Sequence, residues 1–88
     1  MKILKFSTSW CPSCIAMKHK VEDVEKETGV VVEHLDADKE TEKVEQYNIN
    51  ELPAFIFVDD DGNELYRAHG IIPKLKLIEL INKYATNK

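Results

Sequence analysis

Cys11 and Cys14 stand three residues apart in Trp10-Cys11-Pro12-Ser13-Cys14, and the chain has no other cysteine. A bond between them would close almost no loop, so it would add little stability. Two cysteines also cannot staple a small scaffold. In a reducing compartment such a pair points to catalysis or to a metal. The catalytic reading is thiol–disulfide exchange. A thiol at the start of a helix faces the unpaired N–H groups of the first turn, and the helix dipole there favours an anion. Its pKa falls and thiolate becomes available near neutral pH. Cys11 would attack a substrate disulfide, and Cys14, about one turn on, would attack the Cys11 sulfur and release reduced substrate. A metal would need two further Cys or His ligands. Only His19, His34 and His69 are available, and no two share a ligand spacing, so no metal is expected.

Charge around this pair is uneven. Residues 1–20 hold Lys2, Lys5, Lys18 and Lys20 and no acid. Residues 21–66 hold 15 acids against Lys26, Lys39 and Lys43, and residues 67–88 return to a net charge of +4. Cations near the cysteines favour thiolate. The acidic centre argues against nucleic acid as a partner.

The elements that must position the pair follow from pattern. Residues 2–7 form an apolar strand candidate, broken by Ser9 to Pro12. Pro12 suits a first helical turn, and Cys14, Met17, Val21, Val24 and Thr28 make one helical stripe that ends at Gly29. Residues 30–35 are β-branched and read as a second strand. Asp38 is expected to cap a helix over 39–47, with Val44 and Tyr47 inward and Asn48 ending it. Residues 54–58 form a fully apolar strand behind Pro53. Residues 59–63 carry an Asp-Gly turn signal, and Glu64 to His69 return as the hairpin partner. Gly70 breaks the chain, and Pro73 opens a last helix with Leu77, Ile78, Ile81 and Tyr84 on one face. The order is βαβαββα, an α/β arrangement. The first three strands, joined through helices, are expected to run parallel. The hairpin adds an antiparallel strand, and helices cover both faces of a four-stranded mixed sheet.

Eighty-eight residues, 43% hydrophobic and 32% charged, make a single domain over 1–88 with a modest core. No internal repeat, low-complexity stretch or linker interrupts it. No apolar run can span a bilayer, so no membrane partner is expected. The start lacks a small-residue cleavage site and reads as a strand, so the expected location is cytoplasmic.

Trp10-Cys11-Pro12-Ser13-Cys14 after a first strand, Pro53 before an apolar strand and Gly70 after a hairpin together resemble the thioredoxin superfamily. The resemblance covers essentially the whole chain. The layout, beginning at the motif strand, is similar to glutaredoxins and short thioredoxin-like proteins. It implies a thioredoxin-like fold of four strands flanked by three helices. It implies that Cys11 is the exposed nucleophile and Cys14 the buried resolving thiol, with Pro12 and Ser13 between them tuning redox poise. Pro53 would be the cis-proline beside the disulfide, and the Leu52 backbone would pair with a bound substrate chain. Trp10 would cover the active-site surface, and Gly70 and Ile71 would line the docking groove. No bound cofactor is implied, because the Cys11–Cys14 disulfide itself carries the electrons.

Two positions depart from the pattern. Many thioredoxins bury an acid on the motif strand where this chain has Lys5, and their partner lysine falls at His34. A partly buried Lys5 could support the Cys14 thiolate or take its proton. Lysine more often snorkels to the surface, and that is the expectation here. His69, Lys18 and Lys20 are expected on solvated surface.

The function so implied is a small thiol–disulfide oxidoreductase of thioredoxin type that reduces protein disulfides, serving electron transport and cell redox homeostasis. Its donor would be thioredoxin reductase, its substrates oxidised proteins, and its state a monomer. The alternative is a glutaredoxin-type enzyme recycled by glutathione. Gly70-Ile71-Ile72-Pro73 stands where glutaredoxins carry a Gly-Gly-x-Asp-like signature, and its apolar residues suit a protein surface better. A non-catalytic binding module on the same fold is a third, less favoured reading.

Overall fold

In a computed structural model, which describes residues 1–85, seven elements follow in order. They are β1 (Lys2–Ser7), α1 (Pro12–Thr28), β2 (Val31–Asp36), α2 (Thr41–Gln46), β3 (Ala54–Val58), β4 (Glu64–His69) and α3 (Lys74–Ala85). Residues 86–88 of the expected domain lie outside the described residues. The strands form one sheet in the order β2-β1-β3-β4, a mixed sheet with β1 and β3 central.

Alternation along β1 decides what each face meets. Ile3 joins Met17, Val21 and Val24 of α1, Phe55 and Phe57 of β3, and Leu77, Leu80 and Ile81 of α3 in one buried cluster. Leu4 and Phe6 point the other way, to Leu35, Ala54, Ile56 and Val58, with Val44 and Tyr47 packed on top. Thus α1 and α3 cover one face and the α2 segment the other. The stripe Cys14, Met17, Val21 and Val24 is the buried face of α1. Gly29 ends that helix at φ 72°, its N–H donating to the Glu25 carbonyl at 2.9 Å.

The expected parallel run of the first three strands holds only for β1 with β2. β3 pairs antiparallel with β1, and β4 antiparallel with β3. The cause is the connection. The segment 37–53 does not recross the sheet, and Ala54 enters beside the end of β1. The chain therefore stays at the end of the sheet where β2 stops. It enters β3 there, Ala54 opposite Phe6, and runs back.

The start of α2 also differs from expectation. It begins at Thr41, and its N-cap is Glu40, which makes no side-chain cap. Asp38 does not cap it, because it lies two residues before that N-cap, and its Oδ2 accepts from Trp10 instead. Asn48 follows the helix at φ 53°. In the β3–β4 turn the Asp59 carboxylate accepts from the N–H groups of Asp61 and Asn63, and Gly62 lies at φ 86°.

Candidate active site

The C-terminal end of β1 delivers the chain to the N-terminus of α1. Cys11 is the N-cap there, in extended geometry, and Pro12 follows in the first turn, where no N–H acceptor is needed. The Cys11 sulfur accepts from the Cys14 N–H at 3.4 Å. Its thiol also reaches the Leu52 carbonyl at 4.0 Å.

The two thiols are inequivalent. Hydrogen bonding from the Cys14 side chain, then from the N–H groups of Cys14 and Ser13, holds the Cys11 thiol below its ordinary 9.0 despite desolvation. Burial, then the hydrogen bond to Cys11, pushes the Cys14 thiol up to about 11. One proton between them thus belongs to Cys14, and Cys11 ionises first. The exposed nucleophile implied for Cys11 needs correction. Cys11 is only 8% exposed and Cys14 4%, and the Leu52 carbonyl lies 4.0 Å from the first sulfur.

The Leu52–Pro53 peptide bond is cis, and Pro53 is fully buried. Gly70, at φ 84°, donates its N–H to the Pro53 carbonyl at 2.9 Å. That bond brings the end of the hairpin beside the cysteines. Ile71 next to it is exposed, as are Trp10 and Ile15. Trp10 is 66% exposed, a surface aromatic and not a core one, and its indole N–H donates to Asp38 Oδ2 at 2.8 Å.

Lys5 corrects a second expectation, because it is a buried residue and not a surface one. It is 4% exposed, on the face of β1 that α1 covers. Alternation between Ile3 and Ser7 aims it under the helix, and burial lowers its pKa below the usual 10.5. Among the described residues none forms an ion pair or hydrogen bond with it. His34 is its register partner on β2. The imidazole Nε2 of His34 lies 2.6 Å from Glu25 Oε1 and so is engaged elsewhere. Lys5, Thr8, Cys14, Ile15, Lys18, Glu22 and His34 line one open cleft of about 550 Å³, together with Ser7 and Ser9.

His69 lies at the far end of the site, its Nδ1 2.8 Å from Glu51 Oε2 in a half-exposed surface pair. Lys18 is exposed on α1. Among the described residues no three His, Cys, Asp or Glu gather to hold a metal. Three contacts were invisible to sequence reasoning: Asp38 with Trp10, Leu52 with Cys11, and Glu25 with His34. No local spacing signals any of them.

Residues 2–85 match the family model described as a thioredoxin-like domain. The chain belongs to the thioredoxin-like family. Among curated relatives, the thioredoxin of Chlamydia caviae is 30% identical over 84 residues, covering 94% of this chain and 81% of that protein. A chloroplastic thioredoxin-like protein of Nicotiana benthamiana is 32% identical over 83 residues, covering 91% of this chain. The chain spans 46% of the Nicotiana protein and 34% of a related Arabidopsis thaliana one. Among solved structures, thioredoxin 1 of Thermosipho africanus superposes with a TM-score of 0.84 at 26% identity, each chain fully covered. Fasciola hepatica thioredoxin gives 0.83 at 32% identity, with 92% of this chain and 77% of that one covered. The four-stranded mixed sheet with three helices is thus the thioredoxin fold. No described helix of this thioredoxin-like domain is long and apolar enough to cross a membrane.

Proposed function

We propose that this thioredoxin-like protein reduces protein disulfides by exchange through Cys11 and Cys14. The observation that carries the reading is the inequivalence of the two thiols 3.4 Å from sulfur to amide at a helix N-terminus. Cys11 is held below 9.0 and Cys14 is pushed up to about 11. Cys11 thiolate attacks one sulfur of a substrate disulfide. The substrate S–S bond breaks, the departing sulfur takes a proton, and a mixed disulfide remains on Cys11. Cys14 then loses its proton and attacks the Cys11 sulfur. The Cys11–Cys14 bond forms, the second substrate thiol leaves, and two electrons have passed to the substrate.

Docking falls to the surface beside the pair. In this reading the Leu52 backbone pairs with an extended substrate segment, and the exposed Trp10 and Ile71 offer apolar area to it. Exposed Ile71 after Gly70 suits a protein surface better than a charged tripeptide, so the donor in this reading is thioredoxin reductase and not glutathione. The dithiol carries the electrons without a bound cofactor. Bacterial thioredoxins among the relatives support the reading, and a reducing cytoplasm suits a monomeric protein of this kind.

The test supplies two electron sources in separate assays with a protein disulfide as acceptor. One is NADPH with thioredoxin reductase, and the other NADPH with glutathione reductase and glutathione. Turnover with the first alone is expected. Turnover with the second alone overturns the docking reading, and turnover with neither overturns the exchange reading.

A further inference from the structure

Two donors line the cleft of the resolving cysteine, and neither has a hydrogen-bond acceptor or ion-pair partner among the described residues. Lys5, from the floor of the sheet, is buried with no ion pair among the described residues. Thr8, the first residue after β1, is 6% exposed, and its hydroxyl is buried without a partner. Both line the cleft that also reaches Cys14. A buried polar group without a partner is costly, so such groups call for an explanation. Here the missing acceptor exists only part of the time. A thiolate at Cys14, on the same cleft, would supply one.

We propose that Lys5 and Thr8 form a preorganised thiolate cradle for Cys14, in which the Lys5 ammonium and the Thr8 hydroxyl stabilise the resolving thiolate as it forms. This rests on the exchange reading above and assigns its second step. Groups that gain their partner only as charge develops lower the barrier more than they stabilise the ground state. The Thr8 backbone N–H and the Lys5 charge both oppose the burial that holds Cys14 protonated. The proton of Cys14 leaves to solvent. The thiolate attacks the Cys11 sulfur, the bond to the substrate breaks, and the electron pair departs on the substrate sulfur, which is then protonated.

Burial disfavours the Lys5 charge, and the Cys14 thiolate and nearby acids offset part of that without an ion pair. From α1, Glu22 and Glu25 favour the ammonium from beyond ion-pair range, and Lys18 opposes it. From β2, His34 is committed to Glu25. From β3, the register neighbour is the uncharged Phe55. Support for the thiolate is therefore present below the folded pKa of Lys5 and fades as pH rises through it.

A chromogenic aryl disulfide separates the two steps. The first release of chromophore depends on reagent concentration and reports attack by Cys11. The second is independent of concentration and reports attack by Cys14. In Lys5→Met the second phase should slow about tenfold or more, because a unit charge across one cleft is worth more than one pKa unit. The first phase should stay within about twofold. Lys5→Arg should restore the second phase, and Thr8→Val should slow it by a smaller factor. The wild-type rate should level off at alkaline pH, where the Lys5→Met rate still climbs.

An unchanged second phase in Lys5→Met overturns the cradle while leaving exchange intact. Absence of a second phase in the wild type, with no reduction of a protein disulfide, overturns the exchange reading and the cradle with it. One measurement needs no variant. The Lys5 side-chain nitrogen resonance of the reduced wild-type protein should be that of an ammonium at neutral pH, and a neutral amine there overturns the proposal.

Discussion

The Trp10 indole N–H donates to the Asp38 carboxylate at 2.8 Å, across 28 residues of chain. This bond ties the loop that presents Cys11 to the loop that leads into α2. It holds an exposed aromatic ring in one place, which suits a docking surface. Asp38→Ala should cost about 0.5–1.5 kcal/mol in stability, the ordinary value of one hydrogen bond. Its larger effect should be on protein substrates, whose KM should rise several-fold while a small disulfide reacts as before. Chemical denaturation and paired kinetic assays check both.

Cys14→Ser should convert turnover into capture. The mixed disulfide on Cys11 then has no internal thiol to resolve it. Cys11→Ser should abolish both turnover and capture. Non-reducing electrophoresis after incubation with a protein disulfide reads the outcome, and covalent capture by Cys11→Ser would contradict the assigned order of attack.

The direction of the thiol shifts sets an alkylation order. Near neutral pH a limiting alkylating reagent should modify Cys11 first, and Cys14 should resist until pH approaches about 11. Mass spectrometry of partially alkylated peptides decides it. The raised Cys14 value also favours the folded state below its ordinary 9.0 and loses that contribution as pH climbs toward about 11.

Lys5→Met should stabilise the protein while slowing its second step. The folded pKa of Lys5 lies below 10.5, so folding disfavours its charge. The wild type carries this penalty below that folded pKa and sheds it as pH rises toward 10.5. Methionine of similar reach removes a desolvated ammonium that has no ion pair. A gain of about 1–2 kcal/mol at neutral pH is expected, or roughly 4–16 °C in the unfolding midpoint for a domain of this size. The gain over wild type should shrink at alkaline pH. Thermal melts across pH check the sign.

Phe57→Ala should be the most damaging of these changes. Phe57 is fully buried at the junction of β3, Tyr66 and Tyr84, with ring centroids 5.9 and 6.0 Å away. The loss should be about 3–5 kcal/mol, a large share of the roughly 5–15 kcal/mol available to a domain. Calorimetry measures it.

What the sequence made legible was local. The stripe Cys14, Met17, Val21 and Val24 with Gly29 behind it announced α1, and the Asp-Gly turn announced the hairpin from Glu64 to His69. The cysteine motif was legible for the same reason, since its residues are neighbours in the chain. The direction of β3 was not, because element order does not say at which end of the sheet a short connection re-enters. Asp38 looked like a cap because its residue type is right, but it lies two residues before the N-cap, and its carboxylate accepts from a partner 28 residues away. Lys5 was read as surface because lysines usually are. Its burial follows from strand alternation beneath α1, which overrides residue type.

The segment 37–53 has one more consequence. Its helix α2 buries no residue of its own, yet the segment carries Asp38 near its start and Leu52 and Pro53 at its finish. The cysteines belong instead to α1, whose face is sunk in the larger cluster. The two halves of the site thus hang on parts of unequal local stability. Brief opening of 37–53 dismantles the substrate-facing half and leaves the cysteine pair standing, so its amides should exchange with solvent well before those of β1 and β3. Recognition in this molecule breathes on a faster clock than its chemistry.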